Sequence, residues 1–242
     1  MGKVILIASG KGGTGKTLFA ANIGTLLALR NKNVVLIDMD LGLRNLDLYL
    51  GLENKVVYNI MDVLSGVCGI KKALIKDKRF ESLYLMAASP YRDNRDITPL
   101  HMQVLCEKLK QEFDYIIIDA PAGVGDGLEM AAAAADIAVI ITEAEYASVR
   151  DADVVDAKLR EIGVTNICCV VNKVNAELMA MGAVPSITDI TAKLHMKMIG
   201  FIQYDDNVYI ATNRGVPIVF KPGTYIEKNF SNILDRIIEE LE

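Results

Sequence analysis

Gly10-Lys11-Gly12-Gly13-Thr14-Gly15-Lys16-Thr17 follows the apolar run 4–8 and opens a helical pattern over 16–30. It satisfies G-x-x-x-x-G-K-[ST] in full. Glycines at these positions let backbone N–H groups turn inward around phosphate oxygens, and the N-terminus of the following helix adds its dipole. The motif nominates Gly10, Gly12, Gly13, Thr14, Gly15, Lys16, Thr17 and the adjoining Leu18 as nucleotide-binding. Lys16 would reach the β- and γ-phosphates, and the Thr17 hydroxyl would face Mg²⁺. A strand before and a helix after separate this stretch from an incidental glycine turn.

Working outward, apolar runs of strand length recur at 34–39, 83–87, 115–118, 137–142, 167–171 and 198–202. Most are continuously apolar, the pattern of strands buried on both faces. Helical patterns alternate with them. Thr98 and Pro99 cap a helix predicted to run to about 112, and 149–162 and 226–241 carry apolar residues at three- and four-residue spacing. Alternating strands and helices predict right-handed crossovers and one α/β domain over 1–242, a doubly wound, mainly parallel sheet flanked by helices. The C-terminal helix, about 224–241, is expected to pack on the core. Ligands in such sheets sit beyond the carboxyl ends of the strands. The segment 173–185 reads as a mobile loop.

Composition narrows the function classes. The 242 residues are 52% hydrophobic and carry a formal charge of −5, which excludes disorder and disfavours a nucleic-acid partner bound through phosphate neutralisation. The longest uncharged run, 17–29, is too short to span a bilayer. No signal peptide is evident, and Leu6 stands where myristoylation needs a hydroxyl residue. Cys68, Cys106, Cys168 and Cys169 form no metal or redox motif; the last two should face opposite sides of a strand. His101 and His195 stand apart from any acid–nucleophile pattern. Lys71, Lys72, Lys76, Lys78 and Arg79 read as a solvated basic face.

The second strand runs into Asp38-Met39-Asp40-Leu41-Gly42. Carboxylates at i and i+2 share a side of a strand end, here facing the γ-phosphate. Two negative charges there need a cation or a water between them, which supports Mg²⁺ and a hydrolytic water. Lys11 is a second lysine among the loop glycines, and K-G-G-x-G-K-T resembles the deviant Walker A motif of the MinD/ParA family of ATPases. Gly42-Leu43-Arg44-Asn45-Leu46-Asp47-Leu48, Val56-Val57-Tyr58, Ala73-Leu74-Ile75-Lys76-Asp77-Lys78-Arg79 and Ser148-Val149-Arg150-Asp151 resemble the MinD cell-division branch in particular. The likeness runs from the first strand to about Pro217.

The resemblance implies roles for named residues. Lys11 would reach across a dimer to the other subunit's nucleotide, as an arginine finger does in trans. Asp40 would orient the attacking water, and Asp38 would support the magnesium shell. Tyr115-Ile116-Ile117-Ile118-Asp119 is an apolar strand ending in an acid, and Asp119-Ala120-Pro121-Ala122-Gly123 resembles the family's second switch, with Asp119 holding a magnesium-bound water. Asn172 resembles the adenine-reading asparagine. The loop Gln203-Tyr204-Asp205-Asp206 lies where relatives close over the base, without their usual proline. Leu18 replaces a hydroxyl residue and cannot bond the α-phosphate, which implies weaker nucleotide affinity.

The function implied is an ATP hydrolase, slow and partner-stimulated, whose Mg²⁺-ATP-bound form dimerises and places the division septum. MinC- and MinE-like regulators are its expected partners. Cytoplasmic residence follows, with peripheral contact at the inner face of the membrane as an option. Relatives end in a basic amphipathic helix. Here Glu227, Asp235, Glu239, Glu240 and Glu242 outnumber Lys228 and Arg236, so anionic lipid should repel this terminus. Alternatives are a flagellar-number regulator, a ParA-type partition ATPase that binds DNA, and a metabolic synthetase using the same loop.

Overall fold

The computed structural model describes residues 1–91 and 97–242. From the N-terminus the chain forms β1 (Lys3–Ala8), α1 (Lys16–Leu29), β2 (Val34–Asp38), α2 (Leu46–Tyr49), α3 (Ile60–Leu64), α4 (Ile70–Ala73), β3 (Ile75–Lys76) and β4 (Leu83–Met86). The second half adds α5 (Pro99–Leu109), β5 (Tyr115–Asp119), α6 (Asp126–Ala132), β6 (Ile137–Glu143), α7 (Tyr146–Glu161) and β7 (Ile167–Val174). It ends with α8 (Ala176–Ala180), α9 (Ile187–Lys193), β8 (Lys197–Gln203), α10 (Asp206–Asn213) and α11 (Tyr225–Leu241).

The strands form one eight-stranded sheet in the order β3-β4-β2-β5-β1-β6-β7-β8. Every pairing is parallel except the antiparallel β3–β4 edge. The two-residue β3 alternates one buried and one exposed side chain, too little pattern to predict a strand. The parallel strands alternate between two cores. Ile5 and Ile7 of β1 join the layer built by α1 and α11, while Val4, Leu6 and Ala8 join that of α3, α5, α6 and α7. Cys168 and Cys169 fall on opposite faces for the same reason.

Three expectations need correction. The segment 173–185 is not all loop: β7 continues to Val174, and the Asn175 side chain then caps α8 by accepting from the Glu177 and Leu178 amides. The helix expected from 149 begins at Tyr146; its first two residues, Tyr146 and Ala147, are exposed and precede the buried apolar face that starts at Val149. Arg79 is not part of a solvated face. Its guanidinium donates to Asp77, to the Leu50 carbonyl at 2.6 Å and to the Gly215 carbonyl at 3.0 Å.

Ile226, Phe230, Ile233, Leu234 and Ile237 of α11 are buried, each contributing about 1.5–3 kcal/mol relative to exposure. Phe230 packs on Phe19 of α1 with ring centroids 5.8 Å apart. The helix therefore braces the element that begins at the glycine loop. Among the described residues no helix is long and apolar enough to cross a membrane.

Candidate functional site

The carboxyl ends of β1, β2, β5, β6 and β7 converge on the loop between β1 and α1. Its conformation depends on glycine: Gly15, at the start of α1, has φ 92° and ψ 22°, and a Cβ there would lie 2.2 Å from Asn172 Nδ2. Two loop carbonyls are held by side chains at the end of β7. Asn172 Nδ2 donates to the Thr14 carbonyl at 2.8 Å, and Lys173 Nζ to the Gly13 carbonyl at 2.6 Å. Helix α1 has no acidic residue in its first turn and no side-chain cap, so its N-terminal donors remain for an anion. Thr14 Oγ1 is buried with no partner, a polar atom that a phosphate oxygen would satisfy.

Beneath the loop, Asp38 and Asp119 end the paired strands β2 and β5 in register. Both are about 1% exposed. Asp38 accepts from the backbone amides of Asp40 (2.9 Å), Asn45 (3.2 Å) and Leu46 (3.1 Å). Burial and then the neighbouring Asp119 push its carboxyl up to about 7, against those hydrogen bonds. Asp119 is also raised, chiefly by burial, with Lys16 and Thr17 close enough to hold it down. Lys16 Nζ stands 3.6 Å from Asp119 Oδ1, and neither Asp119 oxygen receives a hydrogen bond of ordinary length.

Asp119, buried beside Lys16, keeps two oxygens that no ordinary hydrogen bond satisfies. The residues present fit Mg²⁺ with a polyphosphate: a threonine hydroxyl, a carboxylate with free oxygens and a loop of N–H donors. Among the described residues no group of three or more His, Cys, Asp or Glu side chains clusters as a protein-only metal cage. That suits an ion completing its shell with phosphate oxygens and water.

Asp40, Thr17, Lys16 and Leu18 line a cleft of about 560 Å³, within the range of small-molecule sites. Leu18 also packs into the α1 core layer. Asn45, Tyr49, Tyr204, Val208, Tyr209 and Thr212 also line it. The loop Gln203–Asp206 therefore reaches the cleft, with Asp205 capping α10 through the Asn207 amide. Behind Asp40, Arg44 adopts φ 36° and pairs with buried Asp47 at 2.7 Å. The motif Arg44-Asn45-Leu46-Asp47 braces the turn that presents Asp40.

Two nominated residues sit elsewhere than the motif suggests. Gly10 does not line the cleft; a Cβ there would come within 2.5 Å of Asp151 Cβ and 2.7 Å of its carbonyl, so glycine is required where β1 meets α7. Lys11 also lies outside the cleft, with Nζ 2.9 Å from Glu145 and 3.5 Å from Glu143. The Glu145 hydrogen bond raises its pKa. Lys16, Thr17, Asp40 and Asn172 line the cleft, while Asp119, beside Lys16 and paired in register with Asp38, lies beneath it.

Sequence reasoning overlooked Glu143 and Lys173. Their signal was faint: an acid ending one apolar strand, and a lysine after the asparagine ending the next. His195, read as isolated, pairs with Asp153 at 3.2 Å, and His101 Nδ1 accepts from the Thr98 amide at the start of α5.

Comparison with known proteins agrees with this geometry. The CobQ/CobB/MinD/ParA nucleotide binding domain matches residues 5–218. The septum site-determining protein MinD of Bacillus subtilis is 43% identical over 242 residues, spanning 99% of this chain and 90% of that protein. The MinC:MinD cell division protein complex of Aquifex aeolicus superposes with a TM-score of 0.90 at 40% identity, covering 98% of this chain and 96% of that one. The septum site-determining protein MinD of Pyrococcus horikoshii, complexed with Mg-ADP, gives 0.86 at 26% identity, with coverage of 98% and 96%. With its phosphate loop, paired strand-end carboxylates and near-complete alignment, the chain belongs to the MinD septum site-determining branch of the MinD/ParA nucleotide-binding family.

Proposed function

We propose that this protein is a MinD-type ATPase, an ATP-dependent dimerising switch that places the division septum. Lys11, held by Glu145 on the surface rather than in its own cleft, is the observation that carries the reading. A lysine so placed is available to a nucleotide on another subunit. On ATP binding two chains associate face to face, and each Lys11 supplies positive charge where the other site's transition state gathers negative charge.

Within one chain, Gly12, Gly13, Thr14, Gly15, Lys16 and Thr17 hold the phosphates, and Leu18 lies beside them without a hydroxyl to add. Thr17 and Asp119 would hold Mg²⁺, which supplies charge neutralisation at the phosphates when bound. Asp38 acts at one remove, by capping the turn of Asp40 and Asn45. Asp40 orients the water that attacks the γ-phosphate. Asn172 has one amide N–H committed to Thr14 and retains the other for adenine.

Hydrolysis is slow alone and accelerated by a MinE-like partner, and the ATP-bound dimer recruits a MinC-like protein. DNA is not the platform, given the acidic balance. The test is steady-state ATP hydrolysis with and without the cognate MinE-like protein and anionic vesicles. Stimulation by the MinE-like protein is expected, with nothing added by the vesicles, whose anionic surface the acidic α11 repels. Turnover that needs instead a small-molecule acceptor, with the chain monomeric throughout, would make it a synthetase.

A further inference from the structure

Glu143 ends β6 and is mostly buried, its side chain 15% exposed. Its two oxygens meet different cations. Lys173 Nζ lies 2.8 Å from Oε1, and Lys11 Nζ lies 3.5 Å from Oε2. Lys173 also donates to the Gly13 carbonyl, beside the bond from Asn172 to the Thr14 carbonyl. Successive side chains of a regular strand point to opposite faces, yet both of these consecutive residues reach the same loop. The backbone makes that possible. Lys173 adopts φ 54°, a left-handed conformation that few side-chain-bearing residues take, where the β7–β8 register shifts between Val171 and Val174.

We infer that Lys173 is a positioning residue with two tasks: it fixes the phosphate loop through Gly13, and it neutralises Glu143 so that Lys11 is free to leave. Without Lys173, departure of Lys11 would strand a mostly buried carboxylate, and Glu143 would hold Lys11 back. With it, Glu143 keeps a counter-charge in either state. The second task rests on the reading of Lys11 as a residue that crosses to another subunit; the first does not.

The test uses the full chain as K173M, K173R, E143Q, the double variant K173M/E143Q and K11A, each first matched to the wild type for thermal midpoint. K173M should weaken binding of a fluorescent ADP analogue with Mg²⁺ about tenfold, the scale of a lost charge-assisted hydrogen bond. It should also lower kcat for ATP by a similar factor. Adding E143Q should restore kcat to near wild type while the ADP affinity stays weak, and K173R should restore both.

Unchanged ADP affinity in K173M overturns the loop-fixing task. A kcat that E143Q does not rescue overturns the release of Lys11. If K11A hydrolyses ATP as the wild type does, the crossing reading falls and with it the second task, while the ADP measurement still decides the first.

Discussion

Replacing Arg79 with methionine should destabilise this protein more than any other single change on its basic surface. The guanidinium touches both oxygens of Asp77, at 3.0 and 2.6 Å, and donates to the carbonyls of Leu50 and Gly215. Asp77 is 1% exposed, so methionine leaves a buried carboxylate with the residue-79 backbone amide at 2.9 Å but no cation, and two carbonyls without the guanidinium donor. Breaking a buried pair costs about 3–5 kcal/mol. Arg79 is itself 29% exposed, so water can reach the gap and the low end, about 3 kcal/mol, applies. For a chain of this length that lowers the thermal midpoint by about 6–12 °C. The assay is a melt of nucleotide-free wild type, Arg79→Met, Arg79→Lys and the double variant Asp77→Asn with Arg79→Met. The double variant should recover about half the loss, because no uncompensated charge remains. A shift below 2 °C for Arg79→Met, or no recovery in the double variant, would refute the bracing role.

Further outcomes concern the cleft. Lys16→Met should weaken Mg-ADP binding about a hundredfold, since a buried charge-assisted contact to phosphate is lost and Asp119 is left without its cation; titration calorimetry measures it. Gly10→Ala forces a Cβ onto the Asp151 backbone and should cost about 1–3 kcal/mol by overpacking, read as a lower midpoint with nucleotide affinity reduced less than in Lys16→Met. The Asp38–Asp119 pair predicts a pH slope. Asp38 keeps its proton up to about pH 7 in the native chain, against 3.8 when unperturbed. Between those values the native state binds more protons than the unfolded state, so stability falls as pH rises through this window and levels off above it. Melts from pH 5 to 8 should show a shallower decline in Asp119→Asn than in the wild type; identical slopes would remove the pair as the cause.

Much of the fold was legible because parallel strands covered on both faces must be continuously apolar, and the runs at 4–8, 115–118 and 137–142 could be little else. The phosphate loop was legible because its glycines, lysine and threonine are demanded by phosphate geometry at fixed spacing. Long-range roles were not. Arg79 read as one of five neighbouring cations, since nothing local says that Leu50 and Gly215 come together around it. That the Asp38 carboxylate accepts from three backbone amides, and so also organises the Asp40 turn, was likewise invisible in the motif. Lys173 carries a left-handed backbone in a strand of apolar residues, which no periodicity reveals. Arg44-Asn45-Leu46-Asp47 was legible as a resemblance only; its physical reason, an ion pair bracing a strained turn, required the structure.

The central claim is that ATP joins two chains through Lys11. Light-scattering mass of the nucleotide-free, ADP-bound and ATP-bound chain, with Asp40→Ala to block hydrolysis, tests it most directly. The account predicts monomer without nucleotide and with ADP, dimer with ATP, and monomer under all conditions when Lys11→Ala is added. An ATP-bound dimer that survives Lys11→Ala, or a mass indifferent to which nucleotide is present, would contradict it.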